Sequence, residues 1–403
     1  MALLDKFDPL REQREALIAS GADPFHVPVE AVHSATRARI DGREVILAGT
    51  NNYLGLTFDD GCREASHRAL EACGTGTTGS PLANGSYSDH RALERELATF
   101  FGKQHGLLFA TGYQANLGML STLAGPGDVI LLDSDCHASV YDGCQLSGAD
   151  VVRFRHNDPD SLEKRLRRLG ERVSRTLIVV EGLYSMLGDS APLARIAELK
   201  RAYGAYLMVD EAHSLGVYGE TGQGLAEAVG VGDTVDFIVG TFSKSLAGVG
   251  GFCVSDEAVL DTIRYASRPY IFTASPAPSV VAGVRAALTA LRQRSGLREQ
   301  LWANARQLYS ALEAQGHELG PEVSPVIAVL VDTREQAVAL WQGLLERGVY
   351  ANLVLPPATP EGKALLRCSV SAAHTPEEIR WISDAFAALG DEPAGDLPAA
   401  DAH

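Results

Sequence analysis

Positive charge is what this chain is short of. Its 35 lysines and arginines face 51 aspartates and glutamates, a formal net charge of -16, and no basic stripe relieves the deficit. That balance argues against a nucleic-acid partner, although a local basic pocket for an anionic substrate remains compatible with it. Long apolar runs are missing as well. None approaches the ~20 residues that a membrane span needs, and residues 1–20 read as a charged amphipathic helix without an apolar signal-peptide core. Any membrane contact is therefore expected to be peripheral and the protein cytoplasmic. The six cysteines, Cys62, Cys73, Cys136, Cys144, Cys253 and Cys368, form no C-x-x-C pair. Neither a zinc pattern nor a disulfide framework emerges, and no metal site is expected. There is no G-x-x-x-x-G-K-[ST] phosphate loop and no internal repeat.

What is present is a chain of 403 residues, 46% hydrophobic and 21% charged, enough for a large core and two domains. From residue 90 onward, apolar runs at 106–110, 128–132, 151–154, 176–180, 205–209 and 237–239 read as strands. Most are separated by helical segments such as 114–123 and 192–203. This alternation predicts an α/β fold, a mostly parallel sheet with helices on both faces. The helical stretch 276–315 marks the edge of that large domain. Beyond it, strands at 326–331, 349–355 and 365–370, with helices ending at 347 and spanning 376–389, predict a small α+β C-terminal domain. The expected division is an N-terminal helix and arm over 1–45, a large domain over 46–285, a small domain over 286–390 and a frayed tail over 391–403.

Two strand ends carry the strongest chemical signal. Gly240-Thr241-Phe242-Ser243-Lys244-Ser245 follows an apolar run, so Lys244 stands at the end of a buried strand. Desolvation there favours the neutral amine that a Schiff-base lysine needs, whereas a solvated lysine at a strand exit is the plainer reading of one lysine alone. Asp210 closes the apolar run 205–209, and His213 follows three residues on. A carboxylate so placed suits the ring nitrogen of pyridoxal phosphate (PLP), which it keeps protonated as an electron sink. His213 can then bond the phenolic oxygen of the ring. Asp210-Glu211-Ala212-His213 also resembles a helicase metal box, but that reading fails without a phosphate loop.

Further strand exits face the same C-terminal crevice, where open α/β sheets bind ligands. Thr111-Gly112-Tyr113 opens a helix whose N–H groups suit a phosphate, and Thr241 and Ser243 can add hydroxyl donors. His137, in Asp135-Cys136-His137-Ala138-Ser139, can stack on the ring or handle a proton. A lone loop histidine is more often structural, and only the alignment with Asp210, His213 and Lys244 favours the functional reading. Ser185 leaves the strand that ends near Glu181. Arg367 lies inside an apolar strand, where a charge needs a partner; a substrate α-carboxylate and a buried salt bridge fit equally.

Together, Asn51-Asn52-Tyr53-Leu54-Gly55-Leu56, Thr111-Gly112-Tyr113-Gln114-Ala115-Asn116, Asp135-Cys136-His137-Ala138-Ser139, Val209-Asp210-Glu211-Ala212-His213-Ser214 and Gly240-Thr241-Phe242-Ser243-Lys244-Ser245 resemble the α-oxoamine synthase family of fold-type I PLP enzymes. The resemblance covers roughly residues 41–389. Stretches 153–157, 181–189, 268–275 and 356–360 are similar to the bacterial members that condense L-serine with a long-chain acyl-CoA. The resemblance implies a decarboxylative Claisen condensation giving 3-ketosphinganine, CoA and CO2 in a homodimer with shared active sites. It implies Lys244 as Schiff-base lysine and base, Asp210 at the pyridine nitrogen and His213 at the phenolic oxygen. His137 is implied to stack on the ring and touch the substrate carboxylate. Gly112, Tyr113, Ser185, Thr241 and Ser243 are implied around the cofactor, mostly at its phosphate, with Thr273 reaching the phosphate of the neighbouring subunit. Arg367, Asn52 and Tyr53 are implied at the amino acid.

The chain departs from the family pattern at two positions. The family's glycine-rich loop usually continues Gly-Ser-Arg or Gly-Thr-Arg, whereas Ser80 is followed here by Pro81, which removes a cation and an N–H and fixes φ. Ala247 stands where relatives often have glycine, a change expected to be tolerated. The related 5-aminolevulinate synthases meet a charged succinyl end with Arg and Asn in the loop; Pro81-Leu82-Ala83 offers no such group, which favours an apolar acyl chain. The rival readings are a sister enzyme using glycine or alanine (glycine C-acetyltransferase or 8-amino-7-oxononanoate synthase), an aminotransferase, and a silent PLP-fold subunit that only binds a partner.

Overall fold

Apolar runs that are buried along almost their whole length form the centre of the molecule. The computed structural model describes residues 2–19, 23–356, 359 and 362–390. Its first ten strands are β1 (Val29–Val32), β2 (Arg37–Ile40), β3 (Arg43–Leu47), β4 (His105–Phe109), β5 (Val129–Asp133), β6 (Asp150–Phe154), β7 (Thr176–Glu181), β8 (Tyr206–Asp210), β9 (Phe237–Thr241) and β10 (Gly251–Ser255). Seven of them form one sheet in the order β4-β10-β9-β8-β7-β5-β6. β5 to β9 pair in parallel, and β10 alone runs against its neighbours β4 and β9. β5, β7 and β9 are buried at every position, the reason their sequences are continuous Val, Ile and Leu rather than alternating.

The sequence reading missed β10. Its Gly251-Phe252-Cys253-Val254-Ser255 follows a glycine-rich loop and reads as a continuation of it. A Cβ at Gly251 would lie 2.5 Å from the Thr111 carbonyl oxygen, so glycine admits the close approach of this strand. β1 and β2 were missed too, because each is only four residues long, and the exposed Val-Glu-Ala-Val and the Arg-Ala-Arg-Ile alternation are too short to stand out as strands. The expected helical stretch 276–315 is two helices, Pro278–Gln293 and Gly296–Ala314, parted at Arg294-Ser295, just before a glycine of low helix propensity.

Four more strands, β11 (Val326–Val331), β12 (Val349–Tyr350), β13 (Asn352–Val354) and β14 (Ala364–Ser369), belong to the smaller C-terminal domain. β11, β14 and β13 form an antiparallel sheet, while β12 joins β1-β2-β3 by pairing in parallel with β3. The N-terminal strands are thus stitched to the C-terminal part, and Arg37 adds an ion pair to the buried Glu378 at 2.7 Å. This closure brings Arg367 of β14 beside Asn51, whose Oδ1 accepts from Nη2 at 2.7 Å. Among the described residues no helix is long and apolar enough to cross a membrane. Of the stretch 356–360 only Pro356 and Thr359 are described, and the segment from 391 lies outside the described residues.

Pro81 occupies a position that suits it. The Ser80 carbonyl accepts from Ala83 N at 3.0 Å and Gly85 N at 2.9 Å, so Pro81 is the second residue of a turn, where a fixed φ is an advantage and no N–H is needed. Ala247 adopts φ 53°, the region that favours glycine, at a cost of about 1 kcal/mol.

The loop after β7 is fastened by a buried ionic knot. His156 donates from Nδ1 to Asp133 at 2.8 Å and from Nε2 to Asp189 at 2.7 Å. Burial pulls the imidazole pKa down, but the hydrogen bonds and charges of the two carboxylates outweigh it and raise it to about 10. A raised folded-state value means that this stability is complete below the ordinary histidine range and is lost as pH rises through about 10. His156→Ala is expected to cost about 3–5 kcal/mol, because two buried carboxylates lose their cation. Urea unfolding at pH 7 measures the loss, and the variant should also shed the part of the stability decline between pH 8 and 10 that His156 causes.

Candidate active site

The C-terminal ends of β7, β8 and β9, with the loop after β5 and the start of the helix Gly112–Leu123, enclose a cavity of about 310 Å³. Asp210, His213, Lys244 and His137 line it. Gly112, Tyr113, Thr241 and Ser243 line it as well. The eight side chains and glycines therefore meet in one place, although they come from four separate stretches of sequence.

Lys244 stands three residues past the end of β9 and lines the cavity. Burial pulls its amine down to about 8, against the opposing attraction of Asp210 and Glu181. Among the described residues its Nζ has no hydrogen-bond or salt-bridge partner. Asp210 is held by two donors, Asn116 Nδ2 to Oδ2 at 2.7 Å and Ala212 N to Oδ1 at 2.9 Å, which fix the carboxylate at the end of β8. The adjacent Glu211 turns the other way. Its oxygens accept from Leu225 N and Ala226 N at 2.9 and 2.8 Å, so the second acid of Asp210-Glu211-Ala212-His213 is a brace for the following loop.

His213 is buried, and burial, followed by the positive charges of Lys244 and Arg367, holds its imidazole neutral, well below the ordinary value. Its Nδ1 lies 2.7 Å from the Tyr53 hydroxyl. Burial pushes the Tyr53 phenol up to about 12 against the pull of the neighbouring Arg367 guanidinium, so the phenol keeps its proton and can donate it to Nδ1. That assignment leaves Nε2–H of His213 as its remaining donor. Arg367 is only 7% exposed, and no carboxylate lies within ion-pair distance of it among the described residues. Its neighbours are neutral groups: Nη2 donates to Asn51, the Tyr53 hydroxyl lies close by, and Nε has no partner among the described residues.

The far end is built for an anion. Thr111 caps the helix by accepting from Gln114 N at 3.0 Å, which leaves the N–H groups of Gly112 and Tyr113 free of that duty. Thr241 and Ser243 bring hydroxyls 2.9 Å apart beside them. A Cβ at Gly112 would sit 2.7 Å from Thr241 Cβ, so only glycine lets the helix start and the β9 exit close together around a ligand.

Not every predicted residue arrives. Ser185 lies outside the cavity lining, because the chain turns after β7 through a Tyr184 N to Asp189 O bond of 2.8 Å. The residue that β7 does deliver is Glu181, whose buried carboxylate accepts from His137 N. Burial and the charge of Asp210 raise its pKa well above the ordinary carboxylate value. Thr273, which the resemblance assigns to the phosphate of the neighbouring subunit, lies outside this chain's own lining and accepts from Gln114 Nε2 at 3.2 Å. Asn52 is buried with its Nδ2 on Thr57 Oγ1 at 2.7 Å and its Oδ1 without a partner. Asn116 and Ser139, which line the cavity, were quoted in motifs but given no role; a polar residue on the inward face of a helix was the available signal.

Residues 43–386 match the aminotransferase class I and II family. The chain is 55% identical over 390 residues to a serine palmitoyltransferase of Caulobacter vibrioides, covering 97% of this chain and 96% of the relative. A solved serine palmitoyltransferase of S. paucimobilis with a bound PLP–myriocin aldimine superposes with a TM-score of 0.94 at 48% identity, over 97% of this chain and 98% of that one. An 8-amino-7-oxononanoate synthase of Francisella tularensis superposes less well, with a TM-score of 0.74 at 25% identity over 86% of this chain and 97% of the other. The site fits PLP: an amine without a partner for the aldehyde, a clamped carboxylate for the ring nitrogen, and a glycine-sized cradle of amides and hydroxyls for the phosphate. The chain belongs to the aminotransferase class I and II family and, within it, to the α-oxoamine synthases, as a PLP-dependent acyltransferase.

Proposed function

We propose that the chain joins L-serine to a long-chain acyl-CoA, releasing CoA and CO2 and forming a 3-ketosphinganine, the first step of sphingoid-base synthesis. The observation that carries the reading is a pair of buried cations, Lys244 and Arg367, neither with a carboxylate in ion-pair range among the described residues. A lysine whose amine burial pulls down, inside a cavity, marks a functional site, and Arg367 adds a buried charge on β14. The names of the relatives support serine and a palmitoyl donor over glycine or alanine.

Lys244 would hold the cofactor at its aldehyde carbon, and Asp210 would keep the ring nitrogen protonated. His213, through Nε2–H, would bond the phenolic oxygen, and Gly112, Tyr113, Thr241 and Ser243 would receive the phosphate. When bound, PLP supplies an electron sink for negative charge at the serine Cα. Arg367, with Asn52 and Tyr53 nearby, orients the serine carboxylate, and His137 contacts it from the cavity side. Lys244 removes the Cα proton, and its lowered pKa makes it a competent base near neutrality. Cα then bonds to the acyl carbonyl as the thiolate of CoA leaves, the carboxylate departs as CO2, and a proton returns to the same carbon. The working unit in this reading is a cytoplasmic homodimer in which Thr273 serves the partner's phosphate site, with any membrane contact peripheral.

Serine labelled at its carboxyl carbon tests the reaction type. Label should leave as CO2 only when palmitoyl-CoA is present; label retained in a 2-oxo acid product would make the chain an aminotransferase. Cofactor capture tests Lys244 separately. The neutral amine attacks the aldehyde, so the association rate of apoprotein with PLP should climb with pH and level off above about 8, as followed by absorbance.

A further inference from the structure

Asn116 lies on the helix Gly112–Leu123 and is 2% exposed. Its amide nitrogen donates to Asp210 Oδ2 at 2.7 Å and to Ser139 Oγ at 2.9 Å. The amide can only sit this way round, since the flipped form would press its oxygen against a carboxylate oxygen. Ser139 Oγ thus receives a hydrogen from Asn116 and has its own free for His137 Nδ1, 2.8 Å away. The backbone N–H of Ser139 donates to the same nitrogen at 3.2 Å. Two donors converge on Nδ1, so the single proton of the neutral ring resides on Nε2.

We propose that Asn116 is a positioning residue that, acting through Ser139, holds His137 in the Nε2–H tautomer while it clamps Asp210 with the same amide. The proposal rests on the reading of the cavity as a PLP site. One buried side chain then ties together the carboxylate at the end of β8, the N-cap of the helix Ala138–Ser147 and the helix that faces the phosphate. His137 is left with a donor, Nε2–H, for a substrate carboxylate, and Asp210 with a donor on each oxygen. Burial, which lowers the His137 pKa, acts in the same direction by disfavouring the doubly protonated ring.

The test is the ring-nitrogen NMR of His137 in PLP-loaded protein with ¹⁵N-labelled histidine, its signals assigned by their loss in His137→Gln. Wild type should show a bare Nδ1 and a protonated Nε2. Asn116→Leu, which keeps the volume and removes both donors, and Ser139→Ala, which removes only the hydroxyl, should each give a mixture of tautomers. Their kcat should fall about 10- to 100-fold, as for small misplacements of a reacting group, with PLP retained. A purely structural Asn116 would move stability and leave the tautomer alone. A pure Nε2–H form in both variants, or a protonated Nδ1 in wild type, overturns the proposal; should Asn116→Leu fail to fold, Ser139→Ala decides. A wild type with the expected tautomer but no turnover of serine would refute the substrate reading and leave this one standing.

Discussion

Lys244→Ala should lower turnover with serine and palmitoyl-CoA by about 10²- to 10⁴-fold, the range that a positioned proton-transfer group contributes. The same substitution should leave thermal stability unchanged or slightly raised. Burial already pushes the Lys244 amine toward its neutral form, and its Nζ has no hydrogen-bond partner among the described residues, so its removal breaks no bond and relieves a desolvated charge. Exchange of the serine Cα hydrogen with deuterated solvent reads the proton step itself: wild type should exchange it, and the variant should not. Exchange at the wild-type rate in the variant would mean that another group is the base, and Lys244 would then serve only to hold the cofactor.

Arg367→Leu should act on the other substrate parameter. Losing a charge-assisted contact to a carboxylate costs about 1.5–3 kcal/mol, so the KM for serine should rise by about 10- to 100-fold, with the KM for acyl-CoA little changed. The lack of a carboxylate within ion-pair distance of Arg367 among the described residues sharpens this expectation. A structural salt bridge would leave an orphaned acid and unfold the small domain, whereas among the described residues the side chains beside it are the neutral Asn51, at 2.7 Å, and Tyr53. Arg367→Lys should recover only part of the affinity, because a point charge cannot reproduce the planar fork of guanidinium. A large loss of Tm with an unchanged KM would return Arg367 to the structural role that the sequence left open.

Much of the architecture was legible because burial on both faces writes itself into sequence. β5, β7, β8 and β9 are near-continuous aliphatic runs, and the residues that follow them, Asp210 and Lys244 foremost, were readable as a crevice. β10 was hidden because its glycine-rich approach looks like a loop, although its packing against Thr111 is what demands glycine. Glu181 was passed over in favour of Ser185 because sequence shows where a strand ends only within a few residues. The links among Tyr53, His213 and Arg367, or among Asn116, Asp210 and Ser139, cross large sequence separations. No local pattern announces them; only the closed fold does.

The most direct measurement is thiol release by the PLP-loaded protein, with serine, glycine and alanine each crossed against acetyl-, succinyl- and palmitoyl-CoA. Release confined to serine with palmitoyl-CoA is the result expected from a site with a carboxylate-seeking Arg367 and a loop, Pro81-Leu82-Ala83, that offers no charge to a short dicarboxylic acyl group. Release with glycine or alanine and a short acyl-CoA, or none in any of the nine pairings, would contradict it.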